Sequence, residues 1–152
     1  MSFFVFQKLA YWLRGLHLSL RRGSASDRYG ARSTSLEIGD TGEMLAYHYL
    51  RGQGYRIVAR KYRRPMGEID LVGWEKEILC FIEVKLRTQP HHGRPEEAVN
   101  WRKRRQICRV AREYRKHYNL HDINYRFDIV SIRGTIKNPG LEIIRGAFGE
   151  TR

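Results

Sequence analysis

The chain has 152 residues, 41% of them hydrophobic and 30% charged, with a formal net charge of +13. That length supports one domain with its own core and argues against two, and the composition excludes a disordered chain. So large a positive excess is more than solubility needs and points to a polyanionic partner, nucleic acid before an anionic membrane surface. The two cysteines, Cys80 and Cys108, fall in apolar-patterned segments without zinc or disulfide spacing, which fits reduced, buried thiols and a cytoplasmic setting.

Residues 1–20 carry an amphipathic helical pattern, with Phe6, Leu9, Leu13, Leu16 and Leu20 near one face and Lys8, Arg14, Arg21 and Arg22 making it basic. It is too interrupted to span a membrane. It reads as a helix packed on the domain, with a membrane-surface or partner-binding helix as the alternative. Residues 21–35 have the Gly, Ser and Arg content of a linker, so the domains are expected at 1–35 and 36–150.

A helix capped by Asp40 or Thr41 should run to about Arg51 and end at Gly52 or Gly54. Glu43 lies only about 20° around it from the apolar Leu50. Taken alone, Glu43 is explained by the attraction of a helix N-terminus for acidic residues. Strands are expected at about Tyr55–Tyr62, Glu68–Trp74 and Ile78–Leu86, the last apolar enough to be central and covered on both faces. Arg63–Gly67 should turn the chain between the first two. His91 and His92 fall in the following loop and are most simply read as solvated.

Asp70, Glu83 and Lys85 interrupt those apolar strands. Glu83 and Lys85 share a strand face, and Asp70 can reach them from the neighbouring strand. Two carboxylates about 4 Å apart repel by roughly 4 kcal/mol at an effective dielectric near 20. Such a cluster needs cations: Lys85 supplies one, and a divalent metal would supply the rest. An ion-pair network is the bland alternative, but a weak stabiliser.

The next helix, from Glu96 or Val99 to Tyr118, has eight Lys or Arg against one acid, Glu113, in residues 102–117. Arg102, Arg105, Arg109, Arg112 and Lys116 fall within about 80° of one another. A solvated face would explain some of this charge, but a phosphate-facing surface explains it better, with Arg63 and Arg64 added from the turn. Lys103 lies instead in the apolar stripe, where it either snorkels to solvent or reaches the acidic cluster. A fourth strand is expected at Tyr125–Ile132 and a short fifth at Leu141–Ile144, after a turn at Asn138–Gly140. The crossover through the basic helix makes the third and fourth strands parallel. The result is an α/β fold with a mixed sheet.

The order Glu43, Asp70, Glu83-Val84-Lys85 resembles the PD-(D/E)XK nuclease superfamily. More narrowly, Leu36 to Arg133 is similar to the YraN family of nuclease-like proteins, through Gly39–Glu43, Gly67–Val72, Phe81–Lys85 and Arg126–Val130. The superfamily's proline before the aspartate is absent, and Ile69 stands in its place. The resemblance implies a restriction endonuclease-like core, also similar to archaeal Holliday-junction resolvases. It implies Mg²⁺ or Mn²⁺ held by Asp70, Glu83 and the Val84 carbonyl, with Glu43 adding a carboxylate and Lys85 acting on the water. Glu68 is a further candidate. The expected function is a metal-dependent endonuclease acting on DNA, branched or damaged DNA included, with a homodimer as a candidate assembly. The alternatives are a non-catalytic nucleic-acid-binding module and an adaptor using the N-terminal helix.

Overall fold

The computed structural model describes residues 35–87, 99–135 and 138–151. The expected N-terminal helix, the expected linker up to residue 34, and His91 and His92 lie outside the described residues, while Ser35, the last residue of that linker, is helical. The elements run α1 (Ser35–Gly52), β1 (Tyr55–Arg64), β2 (Gly67–Glu75), β3 (Ile78–Arg87), α2 (Trp101–His117), β4 (Tyr125–Thr135) and β5 (Asn138–Phe148). The five strands form one sheet in the order β1-β2-β3-β4-β5. β3 and β4 are parallel, and the other neighbours antiparallel. This is the α/β, restriction endonuclease-like core that the sequence predicts.

Alternation along the central strands gives the sheet two apolar faces. On one, Ala46 and Leu50 of α1 pack with Leu71, Cys80, Ile82, Val130 and Ile132. On the other, Tyr114 of α2 sets its ring edge-on to Phe81 at 5.6 Å and to Tyr62 at 4.8 Å. Aromatic pairs of this kind add about 0.5–1.5 kcal/mol beyond their burial. Cys80 and Cys108 are free and buried. Asn100 caps α2, its side chain accepting the Lys103 N–H at 2.9 Å.

Several boundaries differ from expectation. α1 begins at Ser35, five residues before Asp40, so neither Asp40 nor Thr41 is its cap; the Asp40 carboxylate instead reaches across to Lys61 on β1. Arg63 and Arg64 belong to β1, and only Pro65 and Met66 turn the chain. β5 is eleven residues long, not four. The Asn138–Gly140 triplet lies inside it, with Pro139 opposite Gly134, because an edge strand tolerates a proline that a central strand would not.

A second polar group lies away from the cluster predicted above. Asp128 is fully buried and accepts from Tyr55 Oη (3.1 Å), Arg126 Nε (2.8 Å) and the Gly146 N–H (2.9 Å). Arg126 also bonds Glu75, which is held in turn by Arg145. Gly146, at φ +60°, sits beside the register shift between β4 and β5, where a left-handed residue lets the backbone turn its N–H to Asp128. The group ties β1, β2, β4 and β5 together.

Candidate metal and nucleic-acid site

The β2–β3 ladder is paired from Glu75↔Ile78 as far as Leu71↔Ile82. Beyond it, β2 stays paired with β1 to Gly67, and β3 with β4 to Arg87. A gap therefore opens where Asp70 and Glu83 stand. The Val84 N–H donates to Asp70 Oδ2 at 2.7 Å, so a carboxylate takes the place of the missing backbone partner. A residue in a strand sends its N–H and C=O to the same edge, so the Val84 carbonyl faces this gap as well.

Asp70 is 9% exposed and Glu83 3%. Burial, and then the charge of Glu83, push the Asp70 carboxyl up to about 7 against the pull of the Val84 N–H. Glu83 lies between two lysines, Lys85 Nζ at 3.0 Å from Oε1 and Lys103 Nζ at 3.2 Å from Oε2. Lys103 thus reaches the acidic cluster. Glu83 Oε2 is nonetheless buried with no hydrogen bond of acceptable geometry, and Glu43 Oε2 is in the same state.

Glu43 is the ninth residue of α1, too far from the N-terminus for the helix dipole to explain it. Burial raises its carboxyl, offset by Lys61, whose Nζ is 3.7 Å away. Its charge also raises Asp70, which places the two acids in one electrostatic cluster. Lys61 was not anticipated. It falls between the pairs Arg60↔Leu71 and Tyr62↔Ile69, opposite Asp70, and adopts φ +48°. A non-glycine residue in that region is strained, and such strain gathers at functional sites. A lysine on a half-exposed strand gives no sequence signal of this.

The donor set fits a hard divalent cation. Two carboxylates, a backbone carbonyl and water or phosphate oxygens are what Mg²⁺ takes, since it keeps several waters and needs no all-protein cage. Such a cage is not there to find: among the described residues no three acidic, histidine or cysteine side chains gather closely enough to form one. Glu68 instead pairs with Arg63 at 2.9 Å.

The basic residues of α2 divide into two sets. Arg102, Arg109 and Lys116 are exposed, and Arg105 lies over the ring of Trp101 at 5.2 Å with its Nε unbonded. Arg112 is tied to Glu150 Oε1 at 2.6 Å and to the Thr151 carbonyl at 2.8 Å. Arg104 and Arg115 likewise bond main-chain carbonyls, of Val99 and His121 respectively. Arg64 pairs with Glu113 across the gap between β1 and α2.

The profile of the uncharacterised protein family UPF0102 matches residues 42–132. The chain belongs to this family. UPF0102 is the YraN family whose four sequence blocks are quoted above. Among similar members, a UPF0102 protein of Syntrophotalea carbinolica is 42% identical over 113 residues, covering 74% of this chain and 92% of the relative. One from Koribacter versatilis is 44% identical over 115 residues, covering 74% and 80%. One from Solibacter usitatus is 43% identical over 126 residues, covering 82% and 95%. The shared region contains every element of the gap between β2 and β3. No helix among the described residues is long and apolar enough to cross a membrane.

Proposed function

We propose that this chain is a metal-dependent endonuclease that hydrolyses phosphodiester bonds in DNA, with branched or damaged DNA as the substrate class. The observation that carries the reading is the gap at the end of the β2–β3 ladder. It places Asp70, Glu83 and the Val84 backbone around one space and leaves Glu83 Oε2 without a hydrogen bond. Asp70, Glu83 and the Val84 carbonyl would hold Mg²⁺ or Mn²⁺, with Glu43 contributing through water or at a second ion. The ion, when bound, polarises the scissile phosphate and stabilises the leaving oxygen.

The chain's own groups account for the other requirements. Lys85 points its ammonium at Glu83 Oε1, where it would orient the attacking water and offset phosphate charge. Burial of both carboxylates keeps bulk water from screening these charges. Arg102, Arg105, Arg109 and Lys116 would hold the phosphate backbone along α2. Two buried free thiols fit a reducing, cytoplasmic setting. A symmetric dimer would suit paired cuts in a junction.

A second reading is a nucleic-acid-binding module without catalysis. It is favoured by one observation: Lys85 and Lys103 already offset the charge of Glu83. Incubation with duplex, nicked, flapped, single-stranded and four-way-junction DNA, in Mg²⁺, Mn²⁺ or EDTA, separates the two. The nuclease reading expects metal-dependent cutting that Glu83→Gln protein lacks. Equal traces from both proteins, with DNA binding retained, would leave the binding module standing.

A further inference from the structure

A pocket of about 500 Å³ lies between the β1–β2 turn and the first half of α2, lined by Arg63, Arg64, Met66, Gly67, Lys103 and Gln106, with Pro65 and Glu68 completing it. We infer that this pocket takes the base of a single unpaired nucleotide adjoining the scissile phosphate, an inference that rests on the nuclease reading. It gives the proposed enzyme a means of choosing nucleic acid that carries an extruded or unstacked base.

Position is the first argument. Lys103 lines the pocket and also reaches Glu83, so pocket and acidic cluster adjoin through one side chain. A phosphate at the cluster therefore has its own nucleoside within reach of the pocket. A base held in a duplex is stacked between its neighbours and has no route there; an unpaired one can be turned out of the stack.

Chemistry is the second. Arg63, Arg64 and Lys103 line the pocket, each already paired with a carboxylate, of Glu68, Glu113 and Glu83 respectively, so it suits the uncharged ring of a base and leaves the phosphate to the acidic cluster and its ion. Met66 is 41% exposed at the turn and, with Pro65, offers an apolar surface for a ring. Gln106 presents an amide donor and acceptor side by side, the pattern that meets the edge of adenine. It is seated against the turn because residue 67 is glycine: at φ +145°, a Cβ there would fall 2.2 Å from Gln106 Nε2. The volume lies within the range of pockets that hold small ligands, about 300–1,000 Å³.

The test is equilibrium binding by fluorescence anisotropy with the full chain in EDTA, so that no strand is cut. The probes are a fully paired duplex, the same duplex with one unpaired adenine, and that duplex with an abasic site in the unpaired position. Base stacking and edge contacts predict about tenfold tighter binding of the unpaired adenine over both other probes. Gln106→Ala and Met66→Ser should each bring that ratio close to one while retaining affinity for the paired duplex. Met66 is an exposed turn residue, so its variant tests the pocket without burdening the core. A wild-type ratio near one, or a preference that survives both substitutions, would overturn the pocket while leaving the nuclease reading intact. Salt-insensitive or absent binding of all three probes would overturn the nucleic-acid reading itself, and the pocket with it.

Discussion

Asp70 accepts the Val84 N–H at 2.7 Å where the β2–β3 ladder has just ended. One hydrogen bond thereby fixes the acid, aims the Val84 carbonyl and holds the sheet open beside Glu83. Burial, and then the charge of Glu83, outweigh that bond and raise the carboxyl from 3.8 to about 7. Between those values the folded protein holds a proton that the unfolded chain has lost. Stability from this group is therefore full below the unfolded value, falls as pH rises, and is gone above the folded one. In EDTA, Asp70→Asn should stabilise the protein by on the order of 2–4 kcal/mol at about pH 8 and by little at about pH 4. Thermal melts of both proteins at the two pH values check this, and an equal shift at both would contradict it.

Lys103 and Lys85 divide the same carboxylate but play different parts. Lys103, shared with the pocket, competes with a cation for Glu83 Oε2. Its replacement by Met should tighten Mn²⁺ binding about three- to tenfold in the absence of DNA, by removing a charge of the same sign. Lys85→Met should leave DNA affinity nearly unchanged and reduce cleavage by about a hundredfold or more. Calorimetric titration and single-turnover cleavage measure the two effects. If Lys103→Met weakens Mn²⁺ binding, the lysine supports the site and does not compete for it.

Exposed and tethered arginines on α2 should separate in a salt titration. Four phosphate contacts, from Arg102, Arg105, Arg109 and Lys116, give a log–log slope of about −4. Arg102→Ala/Arg109→Ala protein should lose about two units of that slope. Arg112→Ala should keep the slope and lose stability, because Glu150 and the Thr151 carbonyl lose their partner. A slope change in the Arg112 variant equal to that of the exposed pair would show that its tether opens to phosphate.

The Asp128 group should matter for folding and not for chemistry. Asp128→Ala removes the acceptor of the Tyr55 hydroxyl and the Gly146 N–H, and leaves the half-buried Arg126 guanidinium with Glu75 and Tyr55 alone. A buried pair broken on one side costs about 3–5 kcal/mol. Urea denaturation should show that loss, and the folded fraction should cleave at the wild-type rate. Normal stability with lost cleavage would place this group in the active site.

What could be read from the sequence was set by how unusual each residue is in its element. Asp70 and Glu83 stand out because charge within an apolar central strand is rare, and β3 announces its position by near-continuous hydrophobicity. Lys103 was legible as an anomaly, a lysine in an apolar stripe, with the acidic cluster as one of its two expected destinations, and it is the one that Lys103 takes. Lys61 was invisible, because its backbone angle and its contacts with Asp40 and Glu43, all features of the folded chain, are what distinguish it. The role of Asp40 was misread because an acid near two glycines looks like a cap, and the ion pair across to β1 is a tertiary contact. Arg112 looked like its exposed neighbours because nothing local marks the return of the C-terminal segment to α2.

The claim on which the rest depends is that the gap between β2 and β3 holds a divalent ion on Asp70 and Glu83. Electron paramagnetic resonance of Mn²⁺ titrated with the full chain measures it directly, without DNA and without turnover. The account predicts saturable Mn²⁺ binding that competes with Mg²⁺, strengthens as pH rises through about 7 while Asp70 loses its proton, and is lost in both Asp70→Asn and Glu83→Gln protein. Binding of equal strength in the wild type and both variants, or none in the wild type, would contradict it.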